Sequence, residues 1–425
     1  MAEQDNELPE PWEPFDPVYL RGLIERVFEP ISTHWFRPVL VNPERIPRDG
    51  PVVIAANHSG NAFPYDAMVF DGLLWQRDGF DPLAKLRSVF EKELSFTWWM
   101  RPFGIDDFWR RGGGVDMLFD NFERLLARGE RVLYFPEGVP GIGKGFHRRY
   151  QLQRFSTSFV LLAARQRVPV LPLYIVNAEW VAPVGYPVRP LDALMQRLFT
   201  VPFLPLPIGL AGVIFPFAWY LAFPAHMTFV IGEPLDMAAL VAAEGITDLE
   251  QPDREALRRV AEKVRRSFQA ELDREVAKFG SAPYDGQSLW PSLRAARGRL
   301  WRVLPTGWPV SFIVHERNLR RPPARNRLHA VLRDWDLIGF YLPLVGWPLL
   351  SLARRLRRPP YGYRGMDRAA ARRQRGELIW RLAERPLPSR AHLDGAASGA
   401  AGAAGAAGAA TGVAPSRTPA ASAPP

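Results

Sequence analysis

The chain has no cysteine. Disulfides, Cys-ligated zinc, iron–sulfur clusters and a thiol nucleophile are therefore excluded. It also lacks a basic opening followed by an apolar run. The first residues, MAEQDNELPEPWEPFDP, are acidic, so neither a secretory signal nor a transit peptide is expected. Long uninterrupted hydrophobic runs are missing too. No charge falls between Arg197 and His226, but Pro202, Pro205, Pro207, Pro216 and Pro224 break that stretch. A second stretch, Leu337 to Ala353, contains Pro343 and Pro348 and is shorter than the ~20 residues of a spanning helix. Both read either as buried core with loops or as segments that dip into a bilayer.

Against these absences stand 425 residues of which 47% are apolar, enough to bury a sizeable core and to exclude wholesale disorder. The net charge of +10 is unevenly placed. Residues 281–390 hold 22 Arg against 7 acidic residues, a net of +15, whereas residues 1–280 come to −5. From Ala396 the sequence turns into Ala/Gly/Pro repeats that offer nothing to pack, and disorder is expected there. Four parts follow: a mobile start with amphipathic helices (1–37), a main domain (38–280), a basic helical region (281–390) and a low-complexity tail (391–425).

Within the main domain short apolar runs alternate with helical patterns. Strands are expected at 51–57, 131–135, 168–176 and 226–234. Helices are expected at 64–74, 115–130, 154–166 and 253–278. Near-continuous apolar strands separated by helices predict an α/β fold around a mostly buried central sheet flanked by helices.

The chemistry gathers where strands end. ANHSGNAFPYDAM follows the first strand, placing Asn57, His58, Ser59 and Gly60 at a carboxyl edge, where open α/β sheets bind ligands. A neutral imidazole there accepts a proton from a hydroxyl if a carboxylate steadies its other nitrogen, and Asp66 is the nearest. The bland alternative is a core histidine and a helix-start aspartate. A second strand ends in FPEG and leads into VPGIGKGFHRRYQLQRF. Its glycines free backbone N–H groups for an anion, and Lys144, Arg148, Arg149 and Arg154 add positive charge. A solvated basic loop is the competing reading.

Taken in order, GPVVIAANHSG…PYD, FPEG and VPVLPLYIV resemble the PlsC-like glycerolipid acyltransferases over about residues 38–236. That resemblance implies transfer of an acyl group from acyl-CoA or acyl-carrier protein to a glycerolipid hydroxyl, with neither metal nor cofactor. It makes His58 the general base and Asp66 its orienting partner. It places Asn57, Ser59, Gly60, Pro136, Glu137 and Gly138 at the acceptor, with Val168, Pro169 and Pro172 shaping the sheet and acyl region. Three departures stand out. Seven residues rather than four separate His58 from Asp66, so the loop must bulge for the pair to meet. Val139-Pro140 replaces the usual Thr-Arg, which shifts anion binding to Lys144, Arg148 or Arg149. The arginine block between motifs offers Arg110 or Arg111. A catalytically silent lipid-binding protein on the same fold is the alternative, and the His58–Asp66 distance discriminates the two.

The basic region lies outside the resemblance. SLRAARGRLWRVL sets Leu293, Ala296, Leu300, Val303 and Leu304 on one helical face. Further on, an apolar Trp-containing stretch meets Arg354, Arg355, Arg357 and Arg358. Apolar area beside a cationic flank suits an anionic membrane surface, implying peripheral or monotopic association on the cytoplasmic side. A helical domain docking on the main one is the second reading. Nucleic acid is the third; no motif for it is present and none is expected as partner. The sequence leaves the oligomeric state open.

Overall fold

The computed structural model describes residues 15–59, 63–81, 84, 86–90, 108–188, 190, 206–318 and 324–356. Gly60, Arg357, Arg358, the first 14 residues and the low-complexity tail lie outside these, as do the side chains of Arg110 and Arg354. Seven strands form one sheet: β1 (Val39–Val41), β2 (Val52–Ala56), β3 (Leu86–Phe90), β4 (Val115–Asp116), β5 (Arg131–Tyr134), β6 (Val170–Val176) and β7 (Thr228–Ile231). Their order is β1-β7-β6-β2-β5-β3-β4. All neighbouring pairs are parallel except β6 with β7. The reversed β7 and β1 therefore stand beside a parallel five-strand block, and β2, the middle strand of the seven, lies between β6 and β5.

The helices used below are α1 (Pro17–Leu23), α2 (Tyr65–Arg77), α3 (Phe119–Ala127), α4 (Ser158–Gln166), α5 (Ile208–Ile214), α6 (Arg254–Phe279), α7 (Gly286–Ala295), α8 (Trp308–Asn318), α9 (Arg327–Arg333) and α10 (Gly346–Leu356). Local chemistry starts them where they start. Asp16 caps α1 by accepting from the Tyr19 N–H at 3.0 Å, and Pro17 occupies the first position, where no N–H is missed. Asp253 does the same for α6 through Glu255 N–H at 2.8 Å, and Glu262 pairs with Arg265 and Arg266 along its outer side.

Alternation along the strands divides two cores. Ile54, Leu133, Leu173 and Phe229 point into one, while Val53, Val132, Tyr174 and Val230 point into the other. The second core is closed by α3, α4 and α6 through Phe122, Phe159, Val264 and their neighbours. The first is closed by α2, by the helical stretch running from α1 to Phe36, and by Trp308, Phe312, Leu337, Phe340 and Leu350 of the basic region. Residues 308–313 and 337–350 thus dock on the sheet domain.

Several elements differ from the pattern expected. The helix expected from 115 begins at Phe119, because Val115 and Asp116 pair with β3 as a short strand. The helix expected from 154 begins at Ser158, since the Ser156 N–H is held by Pro136 O at 2.8 Å. Strand β3 has no counterpart in the sequence reading. The single amphipathic helix expected over 292–304 is broken after Ala295; Ala296 and Val303 are buried, but Leu300 and Leu304 are exposed. Gly298, a weak helix former, lies in that break.

Candidate active site

Strand β2 is buried along its whole length, and the backbone that leaves it must find partners away from the ladder. Asn57 supplies one set: its side-chain amide donates to Ile175 O at 3.0 Å, and its carbonyl accepts the Ile175 N–H at 2.7 Å. Asn57, expected at the substrate, is instead wholly buried and serves as a last rung between β2 and β6.

His58 follows at the sheet's carboxyl edge. Its Nδ1 lies 2.9 Å from Asp66 Oδ2, so the seven-residue connection does close on itself. Asp66 sits in the first turn of α2 with its side chain fully buried. Besides His58, it accepts from the Ser59 N–H at 2.9 Å and, through Oδ1, from the Ala67 N–H at 2.8 Å. Three N–H donors at a helix N-terminus stabilise a buried carboxylate that would otherwise be costly. The His58 ring stacks on Phe135 at 4.0 Å between centroids and keeps 12% of its side-chain surface open. With the Nδ1 proton held by Asp66, Nε2 is left as a base. The Ser59 hydroxyl, buried beside the pair, has no hydrogen-bond partner among the described residues.

The FPEG segment packs directly against this loop. Glu137 is 3% exposed and both its oxygens are engaged: Oε1 accepts the His58 N–H at 3.0 Å, and Oε2 accepts the Gln153 N–H at 2.6 Å. Expected at the acceptor, its carboxylate instead braces the backbone of His58. Gly141 permits that approach, since a Cβ there would lie 2.6 Å from Glu137 Cβ and 3.1 Å from His58 Cβ. Gly138 takes φ +57°, a conformation that favours glycine. Pro136 is buried and gives its carbonyl to Ser156.

Lys144, expected to meet an anion, is buried between two carboxylates. Its Nζ lies 3.4 Å from Glu179 Oε1 and 4.0 Å from Glu137 Oε2. Burial raises the Glu179 carboxyl above its ordinary range, and the Lys144 charge opposes that rise. Arg148 and Arg149 remain exposed, the Arg149 guanidinium lying 5.0 Å from the Phe146 ring centroid and 5.6 Å from that of Trp180. Arg111 is 3% exposed and stacks on Tyr19 of α1 at 3.6 Å, which makes it part of the N-terminal packing rather than an open contact. No group of three or more metal-ligating side chains occurs among the described residues.

Phe63 and Tyr65 have no role in the sequence reading, and Trp308 fits there only as one of four tryptophans, with Trp301, Trp335 and Trp347, suited to a lipid surface. Phe63 and Tyr65 are buried at the far end of the His58–Asp66 loop. The Tyr65 hydroxyl donates to Tyr220 O at 2.6 Å and accepts from Trp308 Nε1–H at 2.7 Å. Two aromatics flanking Pro64 inside an otherwise polar loop were the available signal.

The family model described as Acyltransferase matches residues 37–176. Uncharacterized proteins of Mycobacterium tuberculosis and Mycobacterium leprae are each 30% identical to the chain, covering 56% of it and 62% of their own length. The match thus spans less than two thirds of those relatives. A Mycoplasma pneumoniae protein described as a probable 1-acyl-sn-glycerol-3-phosphate acyltransferase is 26% identical over 33% of this chain and 49% of its own. The crystal structure of the 1-acyl-sn-glycerophosphate acyltransferase PlsC from Thermotoga maritima aligns with 60% of this chain and 81% of that one, at 18% identity and a TM-score of 0.35. His58, Asp66 and the FPEG brace all lie inside the span, residues 37–176, that matches the Acyltransferase family model.

Proposed function

We propose that the protein is an O-acyltransferase that moves a fatty acyl group from acyl-CoA or acyl-carrier protein to a hydroxyl of a lysophospholipid or related glycerolipid. The observation that carries this reading is the 2.9 Å contact between His58 Nδ1 and Asp66 Oδ2, which leaves Nε2 free to act as base. The acceptor hydroxyl gives its proton to His58 as its oxygen attacks the thioester carbonyl. The C–S bond breaks, and the departing thiolate takes the proton from the imidazolium. General-base help of this kind contributes about 10²–10⁴-fold, with positioning adding to it. A silent lipid-binding protein would have no need of an aligned pair, and the hydrogen bond favours the enzyme. The test is acyl transfer from palmitoyl-CoA to 1-oleoyl-lysophosphatidate. His58→Ala abolishes it while circular dichroism stays unchanged; full activity in that variant would overturn the reading.

The second part of the proposal is an anionic lipid surface as the place of work. Among the described residues no helix is long and apolar enough to cross a membrane. Exposed apolar side chains support surface contact instead. Leu210 and Val213 of α5 and Leu344, Val345 and Leu352 at α10 are all exposed. Their segments join where Trp347 Nε1–H donates to Val213 O at 2.9 Å and Leu344 N–H to Ile214 O at 2.7 Å. Exposed apolar side chains on two joined segments support an interaction site there. Each basic residue beside an anionic surface contributes on the order of 1 kcal/mol, screened by salt. Replacing Arg354, Arg355, Arg357 and Arg358 with Gln weakens vesicle binding chiefly at low salt. Equal co-sedimentation of both proteins with anionic vesicles would remove the electrostatic part.

A further inference from the structure

We propose that Trp308, on a helix well beyond the acyltransferase match, is a positioning residue for the His58–Asp66 pair, acting through Tyr65. The inference rests on the general-base reading of His58.

The argument begins with loop length. Seven residues between His58 and Asp66 allow more conformations than a shorter connection does, so something has to fix where the loop re-enters α2. Tyr65 is adjacent to Asp66 in the first turn of that helix, and its position sets that of the carboxylate. Its N–H donates to Phe63 O at 2.8 Å, tying the two aromatics into one turn around Pro64. The Phe63 ring centroid lies 5.0 Å from that of Trp308 and 5.4 Å from that of Tyr220. Packing alone would let these rings slide. The Trp308 Nε1–H, 2.7 Å from the Tyr65 hydroxyl oxygen, adds direction, and the same hydroxyl donates a hydrogen bond to Tyr220 O at 2.6 Å. Burial holds the Tyr65 hydroxyl well above its ordinary pKa, so it remains a neutral O–H donor throughout the working range. Trp308 is itself 2% exposed and fixed by Phe28 and Phe312. The chain of contacts therefore runs from α8 through one hydrogen bond to the Tyr65 hydroxyl, from Tyr65 to the adjacent Asp66, and from Asp66 to His58.

The test uses the full chain, with Trp308→Phe, which keeps a ring and loses the N–H, and Tyr65→Phe, which loses the hydroxyl. Two readouts are taken: kcat and KM with palmitoyl-CoA and 1-oleoyl-lysophosphatidate, and titration of His58 by NMR with ¹³Cε1-labelled histidine. The chain has 7 His, and His58→Ala assigns the signal. Each variant lowers kcat about ten- to a hundredfold, the scale of a misplaced catalytic group, leaves KM nearly unchanged and displaces the His58 titration. The double variant is no worse than the more affected single one, because both act through one bond. Val241→Ala, in the other core, lowers the melting temperature without moving the titration. Wild-type kcat and titration in both variants, alongside an inactive His58→Ala, would overturn the positioning role and leave the general base standing. An active His58→Ala fells the general base instead, and the titration, which needs no turnover, still decides whether Trp308 sets the ring's environment.

Discussion

One face of the sheet is covered by α3, α4 and α6, elements that alternate with or follow the strands they pack on; the other is covered by α2 together with segments flanking the matched span, α1 and its continuation on one side and α8, Leu337, Phe340 and α10 on the other. The first arrangement is ordinary for a parallel sheet, in which each crossover helix closes the surface beside its own strands. The second is local only in α2, the helix on which Asp66 sits. The matched span, residues 37–176, is completed by sequence the family model does not include, α6 on the first face and α1, α8 and α10 on the second. Chemistry and support are thus encoded far apart.

Changes graded by size test that contrast. The largest effect is expected at the pair itself. Asp66→Asn keeps the shape but removes the charge that steadies Nδ1–H and the imidazolium, and steady-state assays show kcat falling about 10²–10⁴-fold with little change in KM. An unchanged kcat would mean the carboxylate serves only to start α2.

Next come cavities on the two faces. Phe122→Ala and Phe312→Ala each remove a buried ring and cost about 3–5 kcal/mol in urea unfolding. The contrast lies in activity per folded molecule: Phe312→Ala lowers it, because Phe312 packs on Trp308, while Phe122→Ala leaves it alone. Equal activity in both would deny that the faces differ.

The smallest effect concerns a second carboxyl on α2. Asp66 receives three N–H donors, whereas the enclosed Oδ1 of Asp71 has no hydrogen-bond partner among the described residues. Burial pushes the Asp71 carboxyl up to about 7, the charge of Arg131 only partly opposing it. The folded protein then holds a proton that the unfolded chain has already released, so this group's contribution to stability falls as pH rises from about 4 to about 7 and is constant above. Asp71→Asn removes that loss. The variant gains on wild type across the same interval, by a few kcal/mol at most on the scale of ~1.4 kcal/mol per unit. Parallel stability curves from pH 4 to 8 would contradict it.

Much of this could be read from the chain. The strand runs at 51–57 and 168–176 contain β2 and β6, and the His58–Asp66 pair was marked by its place at a strand end. What escaped did so for physical reasons. Asn57, Glu137 and Lys144 look like ligands because they are polar and near the site, yet strand ends also leave main-chain groups that need partners. Sequence carries nothing to separate these uses. Tryptophan was equally ambiguous. Trp301, Trp308, Trp335 and Trp347 all fit an interfacial pattern, but Trp308 is buried at the centre of an aromatic cluster while Trp301 and Trp335 are exposed. Only the fold shows which one faces inward.

The Glu137 brace has a further consequence, in time rather than space. One carboxylate holds the main-chain amides of His58 and Gln153 at once, and these belong to loops on either side of it. Neither loop can leave without stripping one Glu137 oxygen of its N–H donor in a buried site, a loss that is costly. The two loops are therefore coupled and open in one event. In deuterium exchange the His58 and Gln153 amides are expected to share a single opening rate.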